Sequence, residues 1–510
     1  MSSPSRLVRW GQCLSRSRKN RKACRNPRRP MRLGLEPLEP RLLLAQVHSG
    51  SIAADETWTA ADVHRITGDV TVEPGVTLTI EAGAIVQFDS SSRDLFVKGT
   101  LLAPGTVDNP ILFTSLKDDT GPDGVLGTAD DVDTGGDGPT QGAKGQWGSI
   151  QFTNSSTGSV LDFVQIRYGG AGATAVVIAD GELTLRNSLI HSSSTQGLRI
   201  VTSSPTLTNI TLRDNTQAAM SMDLVSDPAI RGVSVENNGV NGLQLDGGVM
   251  AQSNRWDDHD IIYVLSNDIT VAAGATLSVT PGQIVAASSK ALLVNGTLDA
   301  RGTAEQPIIF TSTYDTPRGI DIDNYPHYAP ARGNWKGIRL EPLSVGNVLE
   351  HVEIRYAGTS IATQAALVTA APLTFRNSVI RDSYEGLRIA GSNPVVAGVT
   401  FRNNVRAAVS MDLVSDPAIR GVSVENNGVN GLQLDGGAMP QSNRWDDPDI
   451  IYVLSNDITV AAGATLSVAP GQIVAASSKA LLVNGTLDAR GTAEQPIIFT
   501  STYDTPRGVS

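Results

Sequence analysis

The stretch Ser221–Gly319 recurs as Ser410–Gly508, almost letter for letter and at a constant offset. Only four aligned pairs differ: Val249/Ala438, Ala251/Pro440, His259/Pro448 and Thr280/Ala469. A duplicated body does not easily house one unique active site, and its copies must be able to follow one another. Internal repetition therefore sets the architecture before any local motif does.

A finer repeat lies inside the long one. Between Leu161 and Leu245 apolar residues return every 22 or 23 positions. Phe163, Leu185, Leu207 and Ile230 read as one column, and Tyr168, Ile190, Leu212 and Val235 as a second. Val176, Leu198, Met220 and Leu243 read as a third, and Ile178, Ile200, Met222 and Leu245 as a fourth. A small residue precedes the third column at Ala175, Gly197, Ala219 and Gly242. Within each row the alternation has period two, the signature of strands with one buried face. Turn formers such as Asn215, Asn237, Asn238 and Gly239 separate the strands. No window reads as a long amphipathic helix.

Short strands in constant register predict a solenoid coil of three strands joined by turns. Stacked coils turn each column into a parallel ladder, and the other two sides of the coil supply the return path. Ordering a residue costs roughly 1–2 kcal/mol of backbone entropy. Enclosing a Leu, Ile or Val returns only about 1.5–3 kcal/mol. A single coil cannot stand alone, so stability propagates along the axis.

The rows Asn187–Ile200 and Gly232–Leu245 resemble coils of the right-handed parallel β-helix, the pectin-lyase-like fold. A second module resembles that family's bacterial surface proteins. It runs from Gly68-Asp-Val-Thr-Val through Gly99-Thr-Leu101 to Asn109-Pro-Ile-Leu-Phe-Thr-Ser115. It returns at Asn267–Ser312 and again at Asn456–Ser501. The expected fold is all-β, a right-handed parallel β-helix solenoid whose coils repeat about every 22 positions, preceded by a disordered basic leader. The expected organisation is a leader at 1–50, a first unit at 51–220 with an Asp/Gly-rich loop at 116–142, a second unit at 221–409 and a third, incomplete one at 410–510. The sequence stops inside a copy of the module, which reads as a fragment of a longer array.

Charge is divided unevenly. Residues 1–45 hold 12 Lys or Arg and two Glu, whereas the remainder holds 28 basic and 49 acidic residues. An acidic body argues against nucleic acid and anionic membrane surfaces and suits cations. Both cysteines, Cys13 and Cys24, lie in the leader, so no disulfide framework holds the body. No apolar run reaches the ~18 residues of a transmembrane helix. The segment Leu38-Glu-Pro-Arg-Leu-Leu-Leu-Ala45 resembles the LEPR-XLL export leader of planctomycete bacteria, which implies a secreted or cell-surface protein. The other reading of the leader is a basic tail for nucleic acid.

The densest polar constellation is Asp118–Gly138, which holds seven Asp. Hard cations take six to eight oxygens from flexible loops, and clustered Asp with Gly supplies them. Asp119, Asp123, Asp130, Asp131, Asp133 and Asp137 are the candidate ligands, with Ca²⁺ as the cation. The spacing is not that of an EF-hand. A solvated acidic loop accounts for the same residues, and the sequence leaves both readings open. In the second unit the equivalent segment, 313–334, keeps only Asp315, Asp321 and Asp323.

Other candidates are weaker. His259 is Pro448 in the duplicate, and His351 reads as a half-buried strand residue. Trp58, Trp256 and Trp445 share one place, and Trp147 and Trp335 another; recurrence at junctions favours packing over sugar stacking. Polygalacturonase-like enzymes carry Asn-Thr-Asp, Asp-Asp, Gly-His-Gly and Arg-Ile-Lys motifs. This chain has Arg199-Ile-Val and Arg388-Ile-Ala and no Gly-His-Gly. Asp257-Asp258 and Asp446-Asp447 read as turn and cap residues. The leading expectation is a non-enzymatic, adhesin-like rod with no required cofactor, either monomeric or part of a longer array, offering long faces to extracellular polysaccharide or surface proteins. The alternative is a polysaccharide lyase or glycoside hydrolase on the same fold.

Overall fold

Each coil is bent by single residues held at positive φ. Asn187, Asn209 and Gly232 occupy one corner at φ 50°, 52° and 63°. Ser192, Asp214 and Asn237 occupy another at 55°, 58° and 52°. Gly, Asn and Asp tolerate the left-handed region best, so the polar punctuation of the sequence becomes the bends. Corner residues are tied from coil to coil: Asn209 Nδ2 donates to Asn187 Oδ1 at 3.3 Å, and Asn215 Nδ2 to Asn238 Oδ1 at 2.8 Å.

The computed structural model of the chain describes residues 45–323, 328–359 and 365–504. They form an all-β parallel solenoid of about 19 turns spaced about 23 residues apart. The one helical element among the described residues is the 3₁₀ turn Pro317–Gly319. No helix there is long and apolar enough to cross a membrane. Most of the basic leader, including both cysteines, lies outside the described residues. Its last part does not: the strand Ala45–Ile52 pairs in parallel with Val63–Val72, so pairing begins inside the stretch assigned to the leader.

Three ladders carry the first unit. One runs through Leu161, Leu185, Leu207 and Ile230. A second runs through Ile166, Ile190, Leu212 and Val235. A third runs through Val177, Leu198, Met220 and Leu243, flanked by Ala179, Ile200, Met222 and Leu245. All but the half-buried Val235 lie in the core. The columns read from sequence hold from the second row on and are misplaced in the first. Leu161, Ile166, Val177 and Ala179 stand where Phe163, Tyr168, Val176 and Ile178 were expected. The reason is local. Leu161 to Leu185 spans 24 positions and Leu185 to Leu207 spans 22, whereas Val177 to Leu198 spans 21 and Leu198 to Met220 spans 22, so the first two sides slip one way and the third the other. Phe163 (φ 47°) and Tyr168 (φ 66°) take corner positions that Asn187 and Ser192 fill in the next coil. Being apolar, they imitate core residues in a count. His351 (φ 49°) is likewise a half-buried corner residue, not a strand residue.

The column of small residues holds from Gly197 on, since Ala175 pairs with Gln196, and it has a packing cause. A Cβ on Gly197 would sit 2.7 Å from the Ala219 carbonyl, and one on Gly242 would sit 2.7 Å from that of Ile262.

Near residue 246 two ladders end and one continues. Ala229–Arg231 and Ser234–Glu236 are the last strands of their ladders. Gly248–Met250 and Asn254–Trp256 start new ones. The third ladder runs on from Leu243 through Tyr263 and Val285 to Phe310 and Ile354. The exposed amides of the ended ladder are capped: Asp258 Oδ1 accepts from Ile230 N at 2.9 Å and Asp260 Oδ2 from Gly232 N at 2.8 Å. Asp447 and Asp449 do the same for Ile419 and Gly421 at 2.7 and 2.8 Å. A ladder that begins as the third side of one unit thus becomes the second side of the next.

Candidate functional site

The loop 116–142 leaves the solenoid after the strand Ile111–Ser115 and is fixed at its root by a buried ion pair. Arg167, on the strand Val164–Arg167 of the next coil, donates from Nε to Asp118 Oδ2 at 2.7 Å; the two side chains are 1% and 0% exposed. Its Nη2 reaches the Gly121 carbonyl at 2.9 Å, the Thr120 hydroxyl at 3.0 Å and the Thr120 carbonyl. Thr120 Oγ1 donates to Asp118 Oδ1 at 2.7 Å, and Thr114 Oγ1 to Asp118 Oδ2. A buried pair holds only if its other polar atoms are met, and here they are. The loop also has an apolar foot, with Val132 packed on Val63, Ile85 and Leu112.

The six aspartates singled out as ligands do not converge on one point. Asp123, Asp130 and Asp131 serve the loop's own backbone. Asp123 Oδ1 accepts from Val125 N at 2.8 Å, and Asp131 Oδ2 from Gly127 N at 2.6 Å. Asp130 Oδ1 accepts from Thr128 Oγ1 at 2.7 Å, which holds the Asp130 pKa below the usual carboxylate range. The other three do meet: one carboxylate oxygen each from Asp119, Asp133 and Asp137 lie within 4.8 Å of one another. Asp133 accepts from Gly136 N at 2.7 Å and Gly138 N at 3.2 Å, which folds the loop end around it.

Asp119 is the unusual member. It is 2% exposed. Its Oδ2 accepts from Thr140 N at 2.8 Å and Thr140 Oγ1 at 2.9 Å, whereas its buried Oδ1 has no hydrogen-bond partner. Burial pushes its pKa up against the two Thr140 bonds, and the facing Asp133 and Asp137 add to the rise. Arg65 sends its Nη2 to the Thr134 carbonyl of the loop. Among the described residues no salt bridge reaches this trio.

The counterpart in the second unit shares the root. Thr311 Oγ1 donates to Asp315 Oδ2 at 2.6 Å, and Arg355 Nη2 lies 2.6 Å from the same oxygen. Beyond that root, Ile322 is fully buried among Ile262, Val264, Ile284 and Ala286. The Ile322 carbonyl accepts from Asn241 N at 2.7 Å. Asp315, which the sequence set beside the candidate ligands, is the counterpart of Asp118 and belongs to the root. In the third copy Thr500 Oγ1 again meets Asp504, at 2.7 Å. Asp118 and Arg167 were missed as a pair, although their signal was present. Phe-Thr-Ser-x-x-Asp occurs at 113–118, 310–315 and 499–504, and Ile-Arg-Tyr at 166–168 and 354–356.

A second feature recurs on the solenoid surface. Arg199 grips Asp246 with two bonds of 2.8 and 2.5 Å, and Arg388 grips Asp435 at the same distances. Around Arg388 lies an open groove of about 400 Å³ that includes Glu385, Arg406, Ser410 and Gln433. Burial pushes the Glu385 pKa up. The first unit carries Gln196 and Gln217 where the second has Glu385 and Arg406.

The remaining candidates settle into the framework. Trp58, Trp147, Trp256 and Trp445 are 0% exposed and Trp335 is 2% exposed, so none of these five indoles opens a face to a sugar. Burial, with Arg213 and Arg167 behind it, lowers the His191 pKa to about 3. Asp258 and Asp447 also accept from Tyr263 and Tyr452 hydroxyls at 2.7 Å.

Comparison with known proteins bears on the same architecture. Residues 50–181 match the family model described as a pectate-lyase like beta helix domain. Residues 148–296 match that of a right handed beta helix region. No curated protein and no solved structure matches the chain. With the parallel ladders in view, these matches make the fold a right-handed parallel β-helix of the pectate-lyase-like kind.

Proposed function

We propose that this chain is an exported, non-enzymatic structural protein, a rod that displays repeated grooves for carbohydrate or protein contact. The carrying observation is the pair of Arg–Asp clamps, Arg199–Asp246 and Arg388–Asp435, and the ladders on which they sit. The residue column through Arg199 continues through Ser221, Gln244, Val264 and Ala286 to Thr311. Thr311 bonds Arg355, whose column goes on to Arg381, so it never reaches Arg388. Arg388 sits on another ladder, with Val368 and Ser410. Like features therefore open on different sides of the solenoid. At about 23 residues per coil the offset between the two copies is roughly eight coils. That is on the order of 40 Å at a strand spacing of ~4.8 Å. Such a display suits holding several neighbours at once. It suits a single polymer laid along one face less well. The export-type leader and the acidic body support a role outside the cell.

The second reading is a polysaccharide lyase or hydrolase, favoured by one observation: Glu385 is a buried carboxyl of raised pKa in a groove with Arg388 and Asp435. A panel of acidic and neutral polysaccharides separates the two. The rod reading expects binding that weakens in the Arg199→Ala/Arg388→Ala double variant, with no reducing or unsaturated ends released. Release of such ends that stops in Glu385→Gln would overturn it in favour of the enzyme.

A further inference from the structure

We infer that Asp119, Asp133 and Asp137 form a site for one hard divalent cation, Ca²⁺, which closes the loop 116–142 onto the solenoid. Three observations converge. The three carboxylates bring an oxygen each within 4.8 Å of one another, and no salt bridge reaches them among the described residues. One of them is buried with an oxygen, Asp119 Oδ1, that has no hydrogen-bond partner among the described residues. A buried carboxylate oxygen left without a donor is costly, and a cation is the ligand that removes the cost. The approach is kept open by Gly135, where a Cβ would lie 2.6 Å from Asp137 Oδ1 and 3.4 Å from the Leu116 carbonyl.

The chemistry of the donor set selects the ion. All donors are carboxylate oxygens on an irregular loop, with no His or Cys among them. That set suits Ca²⁺, which accepts six to eight oxygens in loose geometry, over Zn²⁺ or Cu²⁺. Three carboxylates supply part of the shell, and loop carbonyls and water are the oxygens available for the rest. The second unit offers the internal control. Its loop shares the Thr–Asp–Arg root, but among the described residues no second trio of carboxylates comes together there, so one ion per chain is expected, not one per unit.

The test is calorimetric titration of the whole purified protein with CaCl₂ after chelation, with limited proteolysis of the loop in Ca²⁺ and in EDTA as a second readout. Expected are one site per chain, loop protection in Ca²⁺, and at least ten-fold weaker binding in Asp119→Asn. Asp137→Asn, at an exposed position, guards against a folding defect at Asp119 and should weaken binding as well. Asp130→Asn, in the other group of three, should leave binding unchanged. Absence of binding up to millimolar Ca²⁺, or binding undiminished in both Asp119→Asn and Asp137→Asn, would overturn the site.

Discussion

The loops 116–142 and 313–334 spring from the same place in consecutive units and close by different means. Both are fixed at the root by a Thr, an Asp and an Arg from the following coil: Thr114, Asp118 and Arg167 in one, Thr311, Asp315 and Arg355 in the other. Beyond the root the first gathers the carboxylates of Asp119, Asp133 and Asp137, and the second buries Ile322 among Ile262, Val264, Ile284 and Ala286. The solenoid thus prescribes the attachment and leaves the content of the loop to local sequence. Attachment is a property of the coil, because the Arg stands on a ladder strand. Closure is a property of the insertion.

The sharpest way to break this comparison is to remove the shared root. Arg167→Ala leaves Asp118 buried and unpaired, and should destabilise by about 3–5 kcal/mol in denaturant unfolding. Arg355→Ala should cost less, since Arg355 and Asp315 are each 11% exposed and water can reach them. Equal losses would mean that the two roots are energetically alike despite their difference in burial.

Removing the closure comes next. Ile322→Ala should cost roughly 2–4 kcal/mol, the range for emptying a buried Ile site. The loss should register as proteolysis of the second loop, with Ca²⁺ making no difference to it. A third measurement separates loops from junctions. Burial pushes Asp258 and Asp447 up to about 6 from 3.8. Between those values the folded state holds more protons than the unfolded one, so stability falls as pH rises through that window. Acidification from pH 7 to 5 should therefore add about 1 kcal/mol per junction. Asp258→Asn and Asp447→Asn should each abolish their share in thermal unfolding, and neither loop variant should. The smallest effect sharpens the Ca²⁺ reading. Gly135→Ala should leave metal-free stability within about 0.5 kcal/mol of the parent. It should still weaken Ca²⁺ binding, because its methyl group would crowd Asp137 Oδ1.

The coil was legible wherever polar residues sit at the corners. Asn187, Asn209 and Asn237 mark bends that any reader of turn chemistry finds. It was illegible at Phe163 and Tyr168, where the corner residue is aromatic and counts as core. In the acidic loop, residue type identified the region and spacing could not sort it. Asp118 and Asp119 are neighbours in sequence, yet one pairs with the distant Arg167 and the other faces Asp133 and Asp137. Which way each carboxylate turns depends on a strand that arrives from the next coil.

The sequence by itself determined the solenoid, its coil length and its duplication, because alternation, turn residues and a fixed offset are properties of order along the chain. Tertiary structure alone decided which side each copy faces. The segment that follows Asp246 ends two ladders, starts two others and carries the third through, so Arg199 and Arg388 share a motif and not a ladder. A repeat in one dimension carries no phase about the axis. That phase is set by which strands find hydrogen-bonding partners at the junction.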